Sequence, residues 1–548
     1  MLLFTFQIYA QSPNWAWAHS AGGNQYDYAN SVTSDAAGNV YVAGYFRSNS
    51  ITFGTITLTN GSLGANKIFI VKYDALGNAI WAKSPQGQGV EAIAYSITFD
   101  HSGNIYVAGY FSSTITFGST VLNSIGSHDL FLAKYDPSGN VLWAKSAGGR
   151  GTNYVIAYCV TTDPTGNVYL AGSFSSDTLT FGSTNLINAG GHLEDIFIAK
   201  YDASGNVVWA KSAGGVYPDR ATTIKSDAAG NIFLSGYYGS PAITFGSTTL
   251  TNGNGGVDVF LVKYDGQGNV AWAKSAVVPS SNTSCIANSV TTDAGGNIYL
   301  AGYFANTSIR FDAVTLTSQF VGDATTFLFK FNTAGNAIWA KKGGGIGNAY
   351  ATSSSTDAAG NTCLVGYFTC YHISFDSTSL TNQYYPNSDV LMAQYDANGN
   401  LDWSKSVGST GNDQANSVSY DIHGNLYVVG FFDSPSITFG SNTLTNIALT
   451  DMFIAKLNSF TGINEINPYN NGIVVYPNPS NSVINIHLSS NTINEKLVIF
   501  DALGRDFYNE TVSSLDNKID VSKWNNGVYY YQINNGKEVV HGRFVLQK

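Results

Sequence analysis

Residues 35–46 read DAAGNVYVAGYF, and six further copies of this pattern follow along the chain. The copies are DHSGNIYVAGYF (100–111), DPTGNVYLAGSF (163–174), DAAGNIFLSGYY (227–238), DAGGNIYLAGYF (293–304), DAAGNTCLVGYF (357–368) and DIHGNLYVVGFF (421–432). The initial Asp residues lie 63–66 residues apart. A second marker, the Trp of WAKS and its variants, also occurs seven times, at 17, 81, 143, 209, 272, 339 and 403. Two independent markers therefore predict seven copies of one structural unit.

Each unit reads as four β-strands, which we call A to D. In the third unit they are AYCVTTD, NVYLAGSF, DIFIAKYD and NVVWAKSAGG, and a longer link with a short strand pair joins B to C. Asp-x-x-Gly-Asn segments separate A from B and C from D. Asp at the first position and Gly at the fourth favour a type I turn followed by a left-handed residue. A calcium loop would need several alternating oxygen ligands and a late Glu, so we interpret these segments as turns.

The strand pattern predicts an all-β fold. Strands B and C are apolar on both faces, as in small sheets covered on both sides. In six of the seven copies a Lys lies two residues after the strand-D Trp (Lys83, Lys145, Lys211, Lys274, Lys341 and Lys405), which suits an outer edge. The seventh unit lacks strand D, whereas the chain begins with an orphan strand D, NWAWAHSAGG. We therefore predict a seven-bladed β-propeller over residues 12–458, closed by the N-terminal strand. An open β-solenoid is the alternative, but it leaves this complementarity unexplained.

The repeated pattern D-x-x-G-N-[IV]-Y-[VL]-A-G-[YS]-F resembles the bacterial SBBP repeats, a β-propeller repeat family. The resemblance covers most of the chain and implies the propeller fold. It implies little about activity, because one fold hosts many functions.

The last part of the chain has a different pattern. Residues 459–472 read as a polar linker, and alternating apolar segments separated by turn residues over 473–548 predict a small β-sandwich. YPNPSN (476–481), IFDALGR (499–505), DVSKWNNGVYYYQI (520–533) and the final VLQK resemble the type A C-terminal sorting domain of the type IX secretion system of Bacteroidetes. The resemblance implies Sec-dependent export, then transfer by the type IX machinery to the surface or medium, with removal of the tail. An accessory binding sandwich without a sorting role is the alternative. The motif residues are Pro477, Asn478, Pro479, Gly504, Gly527 and Lys548.

Composition narrows the function classes. The formal charge of −10 disfavours nucleic acid as a partner, and no apolar run is long enough to predict a transmembrane helix. Residues 1–11 resemble the remnant of a secretory signal peptide, with an apolar arm packed on the fold as the alternative. Cys363 and Cys370 flank one predicted strand, too far apart for a disulfide, so no disulfide framework is expected.

No motif in the sequence predicts catalysis, a cofactor or a metal site. The eight histidines show no paired metal-ligand spacing. His192 and Glu194 lie two residues apart in GGHLED, so a metal pair there stays open as a weak alternative.

Variable residues concentrate in the D–A loops and B–C links, which share one end of the predicted propeller. We predict a secreted or surface-attached, non-enzymatic binding or adhesion protein that contacts a surface glycan or protein there. A glycan- or peptide-cleaving enzyme with its site at the channel mouth and a structural surface-layer component are the alternatives. For any single loop residue, plain loop packing is also open. The candidate binding residues are Tyr26, Tyr154, Tyr217, Arg220, Tyr384 and Tyr385.

Overall fold

A computed structural model describes residues 13–61, 64–87, 91–253, 255–279, 284–318, 322–459, 473–476, 480–488, 495–501, 504–512, 514, 516–534 and 539–547. These residues form strands, turns and irregular segments, and no helix occurs among them. The described residues therefore include no helix that could span a lipid bilayer. Contacts divide the described residues into two compact units, 13–459 and 473–547. The all-β prediction is confirmed.

The larger unit begins with β1 (Trp15–Ala21), and seven sequence units follow it. Unit 1 contains β2 (Asp27–Ser34), β3 (Val40–Phe46), β4 (Ser50–Phe53), β5 (Ile56–Thr59), β6 (Lys67–Tyr73) and β7 (Ala79–Lys83). Unit 2 contains β8 (Ala92–Phe99), β9 (Ile105–Phe111), β10 (Thr114–Phe117), β11 (Thr120–Asn123), β12 (Gly126–Tyr135) and β13 (Val141–Ala147). Unit 3 contains β14 (Gly151–Thr162), β15 (Val168–Phe174), β16 (Thr178–Phe181), β17 (Thr184–Ile187), β18 (Asp195–Tyr201) and β19 (Val207–Ala213). Unit 4 contains β20 (Asp219–Ser226), β21 (Ile232–Tyr238), β22 (Ala242–Phe245), β23 (Thr248–Thr251), β24 (Asp258–Tyr264) and β25 (Val270–Ser275).

The remaining three units repeat this order. Unit 5 contains β26 (Cys285–Thr292), β27 (Ile298–Phe304), β28 (Ser308–Phe311), β29 (Val314–Thr317), β30 (Thr325–Phe331) and β31 (Ala337–Gly344). Unit 6 contains β32 (Ala349–Thr356), β33 (Thr362–Phe368), β34 (His372–Phe375), β35 (Thr378–Thr381), β36 (Asp389–Tyr395) and β37 (Leu401–Val407). Unit 7 contains β38 (Asp413–Tyr420), β39 (Leu426–Phe432), β40 (Ser436–Phe439), β41 (Asn442–Thr445) and β42 (Asp451–Leu457).

Each unit folds its strands A to D into one antiparallel sheet in that order, and the two short strands of the B–C link form a hairpin. Sheet 7 receives its strand D from the start of the chain, because β1 pairs with β42 from Trp15–Leu457 to Ala21–Met452. The predicted pairing of the orphan N-terminal strand is therefore confirmed. Two sheets are also joined directly, since the start of β12 pairs in parallel with β14 of sheet 3.

Hydrophobic packing links the sheets into a closed series. Seven clusters of buried side chains lie between consecutive sheets, and one of them joins sheet 7 to sheet 1. In that cluster Met452 and Ile454 of sheet 7 pack with Val40 and Val42 of sheet 1. The A strands of neighbouring sheets also touch, including β38 and β2. The first and last sheets are thus packed as the others are.

The two ends of the sheets differ in their connections. At the end that we call the turn end, the Asp-x-x-Gly-Asn segments join A to B and C to D. Gly38, with φ of 77°, donates its N–H to the Asp35 carbonyl at 3.0 Å, and Asp35 Oδ1 accepts the Ala37 N–H. Tyr41 donates its hydroxyl to Asp35 Oδ2 at 2.9 Å. The turn prediction is confirmed, and the carboxylate is used within the turn.

At five of the seven seams, the repeated Trp and the Lys of strand C both donate to one carbonyl of the next sheet. Trp143 Nε1 and Lys134 Nζ both donate to the Ala203 carbonyl, at 3.2 Å, in the C–D turn of sheet 3. Lys134 also lies 5.0 Å from the centre of the Tyr106 ring. The same pair of contacts joins sheet 3 to sheet 4, where Trp209 and Lys200 bond to one carbonyl. These residues are therefore packing features of the repeated sheets.

The described residues of the smaller unit form seven strands in two antiparallel sheets. Buried side chains such as Ile486, Leu497 and Phe544 form its core. The first sheet has the order β43–β44–β47 and the second β46–β45–β48–β49. The strands are β43 (Ile473–Tyr476), β44 (Val483–Leu488), β45 (Glu495–Asp501), β46 (Asp506–Val512), β47 (Asp516–Asp520), β48 (Gly527–Asn534) and β49 (Val539–Leu546).

Candidate functional site

A polar cavity lies at the A strands of the larger unit, with a volume of about 250 Å³. Six of its seven lining residues occupy one repeated position, at which each A strand carries an extra residue relative to strand B. Such a β-bulge redirects the side chain at the extra position. The lining residues are Asn30, Tyr95, Tyr158, Arg220, Thr222, Asn288 and Thr352.

The bulge explains the Gly of the repeated A-G-[YS]-F pattern. Gly44 lies opposite the bulge of β2, and a β carbon at Gly44 would collide with the Tyr28 carbonyl oxygen. The six equivalent glycines face the same carbonyl in their own sheets. The sequence pattern places this Gly in strand B, and in the structure it permits the backbone shape that forms the cavity wall.

At five of the seven bulges the extra side chain bonds to the next sheet. Asn30 Nδ2 donates to the Ala94 carbonyl at 2.9 Å, and Asn288 Nδ2 donates to the Ala351 carbonyl at 2.8 Å. Thr222, Thr352 and Asn416 make the corresponding bonds in their sheets. These contacts hold the side chains at the bulges in place. In the three Asn residues the amide nitrogen makes the bond, so the amide oxygen is not used in it.

Sheets 2 and 3 depart from this pattern, because Tyr95 and Tyr158 occupy the bulge positions. Their ring centres lie 5.3 Å apart, and Tyr95 also lies 6.0 Å from Tyr110. Desolvation raises the pKa of both the Tyr95 and the Tyr158 hydroxyl, which therefore stay protonated at neutral pH. This wall presents aromatic surface together with hydroxyl groups.

An ion pair with a buried carboxylate completes the same wall. Arg220 of β20 donates from Nε and Nη2 to the Glu194 carboxylate, at 3.1 Å and 2.7 Å. The Glu194 side chain is only 7% exposed, and Ser173 donates its hydroxyl to Glu194 Oε1 at 3.3 Å. The guanidinium lies 4.8 Å from the centre of the Tyr158 ring. Charge, hydrogen bonds and aromatic contact therefore hold Arg220 in one position.

Space for Glu194 arises from one departure from the repeat. The residue equivalent to Ser173 is aromatic in the six other sheets, whereas the smaller Ser173 leaves room beside β15. The aromatic residues are Tyr45, Tyr110, Tyr237, Tyr303, Tyr367 and Phe431. The ion pair is therefore a feature of the seam between sheets 3 and 4.

A second polar cluster lies on the sheet 2 side of the cavity. Tyr110 donates its hydroxyl to Glu91 Oε1 at 3.4 Å, and His128 Nε2 lies 4.0 Å from Glu91 Oε2. The rings of Tyr110 and His128 meet edge to face at 4.9 Å. Glu91 is about half exposed, so this cluster borders on solvent.

Only one of the six candidate binding residues, Arg220, lines the cavity. Tyr26, Tyr154, Tyr217, Tyr384 and Tyr385 are exposed side chains outside its lining. The expected loop positions of Tyr154 and Arg220 are wrong. Tyr154 lies within β14, because this strand continues as far as its parallel pairing with β12. Arg220 lies within β20, opposite Tyr237.

The open alternative of a metal pair at His192 and Glu194 does not match their contacts. His192 Nδ1 lies 3.2 Å from Asp177 Oδ1, whereas Glu194 binds Arg220. Among the described residues, no group of three or more His, Cys, Asp or Glu side chains is placed to hold a metal ion. All four cysteines are buried and free.

The smaller unit carries part of the expected sorting motif. Gly504, with φ of 76°, closes an Asp-x-x-Gly turn by donating to the Asp501 carbonyl at 2.9 Å, and Gly527 begins β48. Pro477, Asn478, Pro479 and Lys548 lie outside the described residues. So do residues 1–11, where the signal-peptide remnant is expected, and all of the expected linker except 459.

Comparison with known proteins identifies the tail. Residues 474–547 match the family model described as a secretion system C-terminal sorting domain, the tail of type IX secretion. Such a tail directs export to the cell surface or the extracellular space.

The chain also resembles a curated protein at low identity. Over 534 aligned residues, the chain is 25% identical to an uncharacterized WD repeat-containing protein of Acanthamoeba polyphaga mimivirus, covering 81% of this chain and 38% of that protein. The chain thus spans about two fifths of the length of that relative.

Solved structures show only weak likeness. A Dyadobacter fermentans protein of unknown function has 12% identity and a TM-score of 0.37, with coverage of 81% of this chain and 99% of that one. PorZ, a surface component of the type IX secretion system of Porphyromonas gingivalis, has 9% identity and a TM-score of 0.21, with coverage of 97% and 100%. At these TM-scores neither likeness supports a conclusion about this chain.

Proposed function

We propose that this protein is a secreted or cell-surface binding protein without enzymatic activity, exported by the type IX secretion system. Its seven sheets are the blades of a β-propeller, and its ligand is a glycan or protein of the cell surface. The observation that carries the proposal is that one chain combines a secretion sorting tail with a repeated scaffold. Around one cavity of this scaffold, the residues differ from the repeat.

Several contacts support the propeller. Each sheet packs on the next, sheet 7 packs on sheet 1, and β1 supplies the missing strand of sheet 7. Neighbouring A strands touch one another throughout the series, as the inner strands of a propeller do. The relative of this chain with WD repeats is consistent with this architecture, because WD repeats build propellers.

Binding is proposed at the end opposite the Asp-x-x-Gly turns, which we call the link end because the B–C links and D–A loops lie there. Exposed apolar side chains occur in these links, including Ile125, Leu193 and Ile447. Tyr217 and Tyr385, both more than half exposed, add aromatic surface. Exposed apolar and aromatic groups at one end of a scaffold are typical of interaction sites.

Export is tested by deleting residues 473–548 from a chain expressed behind a Sec signal peptide in a bacterium with a type IX system. The intact chain should reach the surface or the medium, and the truncated chain should accumulate in the periplasm. Ala16→Asp, at an exposed position of β1, is the control and should be exported normally. Undiminished surface delivery of the truncated chain would contradict the sorting role.

Binding at the link end is tested with the purified full chain on intact cells and on their extracted surface glycans and proteins. Tyr217→Ser combined with Tyr385→Ser should reduce binding. The matched control changes two exposed apolar residues at the turn end, Leu76→Ser and Ile422→Ser, and should bind normally. Equal loss in both variants, or binding by neither the variants nor the parent chain, would contradict the proposal.

A further inference from the structure

The cavity wall differs from the repeat on one side. Asn and Thr occupy five bulge positions, whereas Tyr95 and Tyr158 occupy those of sheets 2 and 3. Arg220 and Glu194 add the ion pair at the next seam. A scaffold needs its repeated residues in every unit, while a ligand needs its contacts once. The departures in sheets 2 to 4 therefore mark a site for one ligand.

The charge of the wall disfavours an anionic ligand. Glu194 neutralises Arg220 through both oxygens, and Glu91 lies beside Tyr110 on the other flank. Arg220 is the only Arg or Lys among the residues that line the cavity. A phosphate or carboxylate would have to compete with Glu194 for Arg220, and a buried carboxylate that lost this partner would be unpaired.

The uncharged polar atoms of the wall suit a ligand with many hydroxyl groups. Asn30 and Asn288 use their Nδ2 atoms between sheets, which leaves their Oδ1 atoms as acceptors. No hydrogen bond joins the Tyr95 or Tyr158 hydroxyl to another residue in the described parts of the chain, so both can donate and accept. Glu194 does not engage Nη1 of Arg220, which remains a donor.

We propose that this cavity binds an uncharged saccharide unit. Hydroxyl groups of the sugar donate to the Asn30 and Asn288 oxygens and exchange hydrogen bonds with Tyr95, Tyr158 and Arg220. The tyrosine rings contact the apolar C–H faces of the sugar, since Tyr combines an apolar body with a polar tip. This inference rests on the proposed function and names the ligand class of the proposed binding end.

The test is binding of the purified full chain to an array of neutral hexose and N-acetylhexosamine oligosaccharides, with matched uronic-acid oligosaccharides. Calorimetry on the best binder then compares the parent chain with Tyr158→Phe and Tyr95→Phe, which remove a hydroxyl and keep the ring. Each should raise Kd several-fold, up to about tenfold, for a lost hydrogen bond. Tyr371→Phe, at an exposed tyrosine outside the cavity, is the matched control and should leave Kd unchanged.

The outcomes separate this inference from the proposed function. Binding of neutral sugars with weakening by Tyr158→Phe supports the saccharide site. Preference for uronic-acid sugars, or an unchanged Kd in both tyrosine variants, overturns it while the protein remains a glycan-binding one. Binding of cell-surface protein with no sugar on the array overturns it as well, and leaves a protein ligand at the link end.

Discussion

Arg220 and Glu194 form a bidentate ion pair across the seam between sheets 3 and 4, and their shortest N–O distance is 2.7 Å. The Glu194 side chain is buried and the Arg220 side chain is about one third exposed. Ser173 supplies one further hydrogen bond to the carboxylate. Because one partner is buried, removing the other leaves a charge with little access to water.

Arg220→Met should therefore lower the free energy of unfolding by about 2–4 kcal/mol, because Glu194 then remains buried without its partner. The double variant Arg220→Met with Glu194→Gln should recover part of that loss, since the uncompensated charge is gone. Urea denaturation at neutral pH measures both. Equal losses in the single and double variants would show that the ion pair does not determine the effect.

The scaffold could be predicted from the sequence because its physical requirements recur in every unit. Asp35 and Gly38 form a turn, and Trp143 donates a hydrogen bond to the next sheet. Residues of these types recur along the sequence at a fixed spacing. The orphan strand around Trp17 could be assigned to sheet 7 because that unit lacks strand D. Local turn chemistry and periodicity are enough for such features.

The cavity could not be predicted in the same way. Tyr95 and Tyr158 belong to separate units and meet only because bulges redirect them toward the same space. The sequence suggests only a metal pair with His192 for Glu194, yet the partner of Glu194 comes from the following unit. Aligning the units would have shown two Tyr among Asn and Thr and one Ser among aromatic residues. It would not have shown that these departures adjoin.

Replacing a glycine of the repeat by Ala should lower the free energy of unfolding by an amount that depends on the surroundings of that glycine. Gly38→Ala should cost about 1–2 kcal/mol from its left-handed backbone alone, since the nearest atom to the added methyl group is at ordinary contact distance. Gly44→Ala should cost more than Gly38→Ala, because the methyl group collides with the Tyr28 carbonyl. Thermal and urea denaturation rank the two variants.

The control is Gly61→Ala, where a β carbon meets no atom of the described residues within 4 Å and φ lies outside the left-handed region. It should leave stability nearly unchanged. Neither Gly38→Ala nor Gly61→Ala should alter ligand binding, because both positions lie outside the cavity lining. A Gly44→Ala protein as stable as the control would show that the bulge tolerates a side chain.

Closure of the sheet series can be tested at β1. Ala18 is buried against sheet 6 and sheet 7 side chains, whereas Ala16 on the same strand is exposed. Ala18→Asp should lower stability by about 2–4 kcal/mol, because it places an unpaired charge in the core. Ala144, at the equivalent position of sheet 2, is also buried, and Ala144→Asp should cost a similar amount.

Ala16→Asp is the matched control and should change stability by less than about 0.5 kcal/mol. The comparison distinguishes a closed series from one in which β1 is a weakly held end. If Ala18→Asp left the main unfolding transition unchanged while Ala144→Asp lowered it, β1 would not contribute to the cooperative structure.

Buried carboxyl groups at the link end should make stability depend on pH. Desolvation raises the pKa of Asp389 to about 7 and that of Asp413 to about 6, and each carboxylate is disfavoured further by a neighbouring one. In the unfolded chain both groups ionise near their ordinary value of 3.8. Between these values the folded state holds more protons, so stability falls as pH rises from about 4 to about 7.

The midpoint of urea unfolding should therefore be higher at pH 5 than at pH 8. Asp389→Asn should raise stability at pH 8 by about 1–3 kcal/mol and by a smaller amount at pH 5, because an amide needs no proton to stay neutral and the cost of holding that proton grows with pH. Asp136→Asn is the control, since hydrogen bonds in its exposed turn hold the pKa of Asp136 below its ordinary value although desolvation opposes them. It should leave the slope between pH 5 and pH 8 unchanged. A parent chain more stable at pH 8 than at pH 5, or an unaltered slope in Asp389→Asn, would contradict this account of the buried pair.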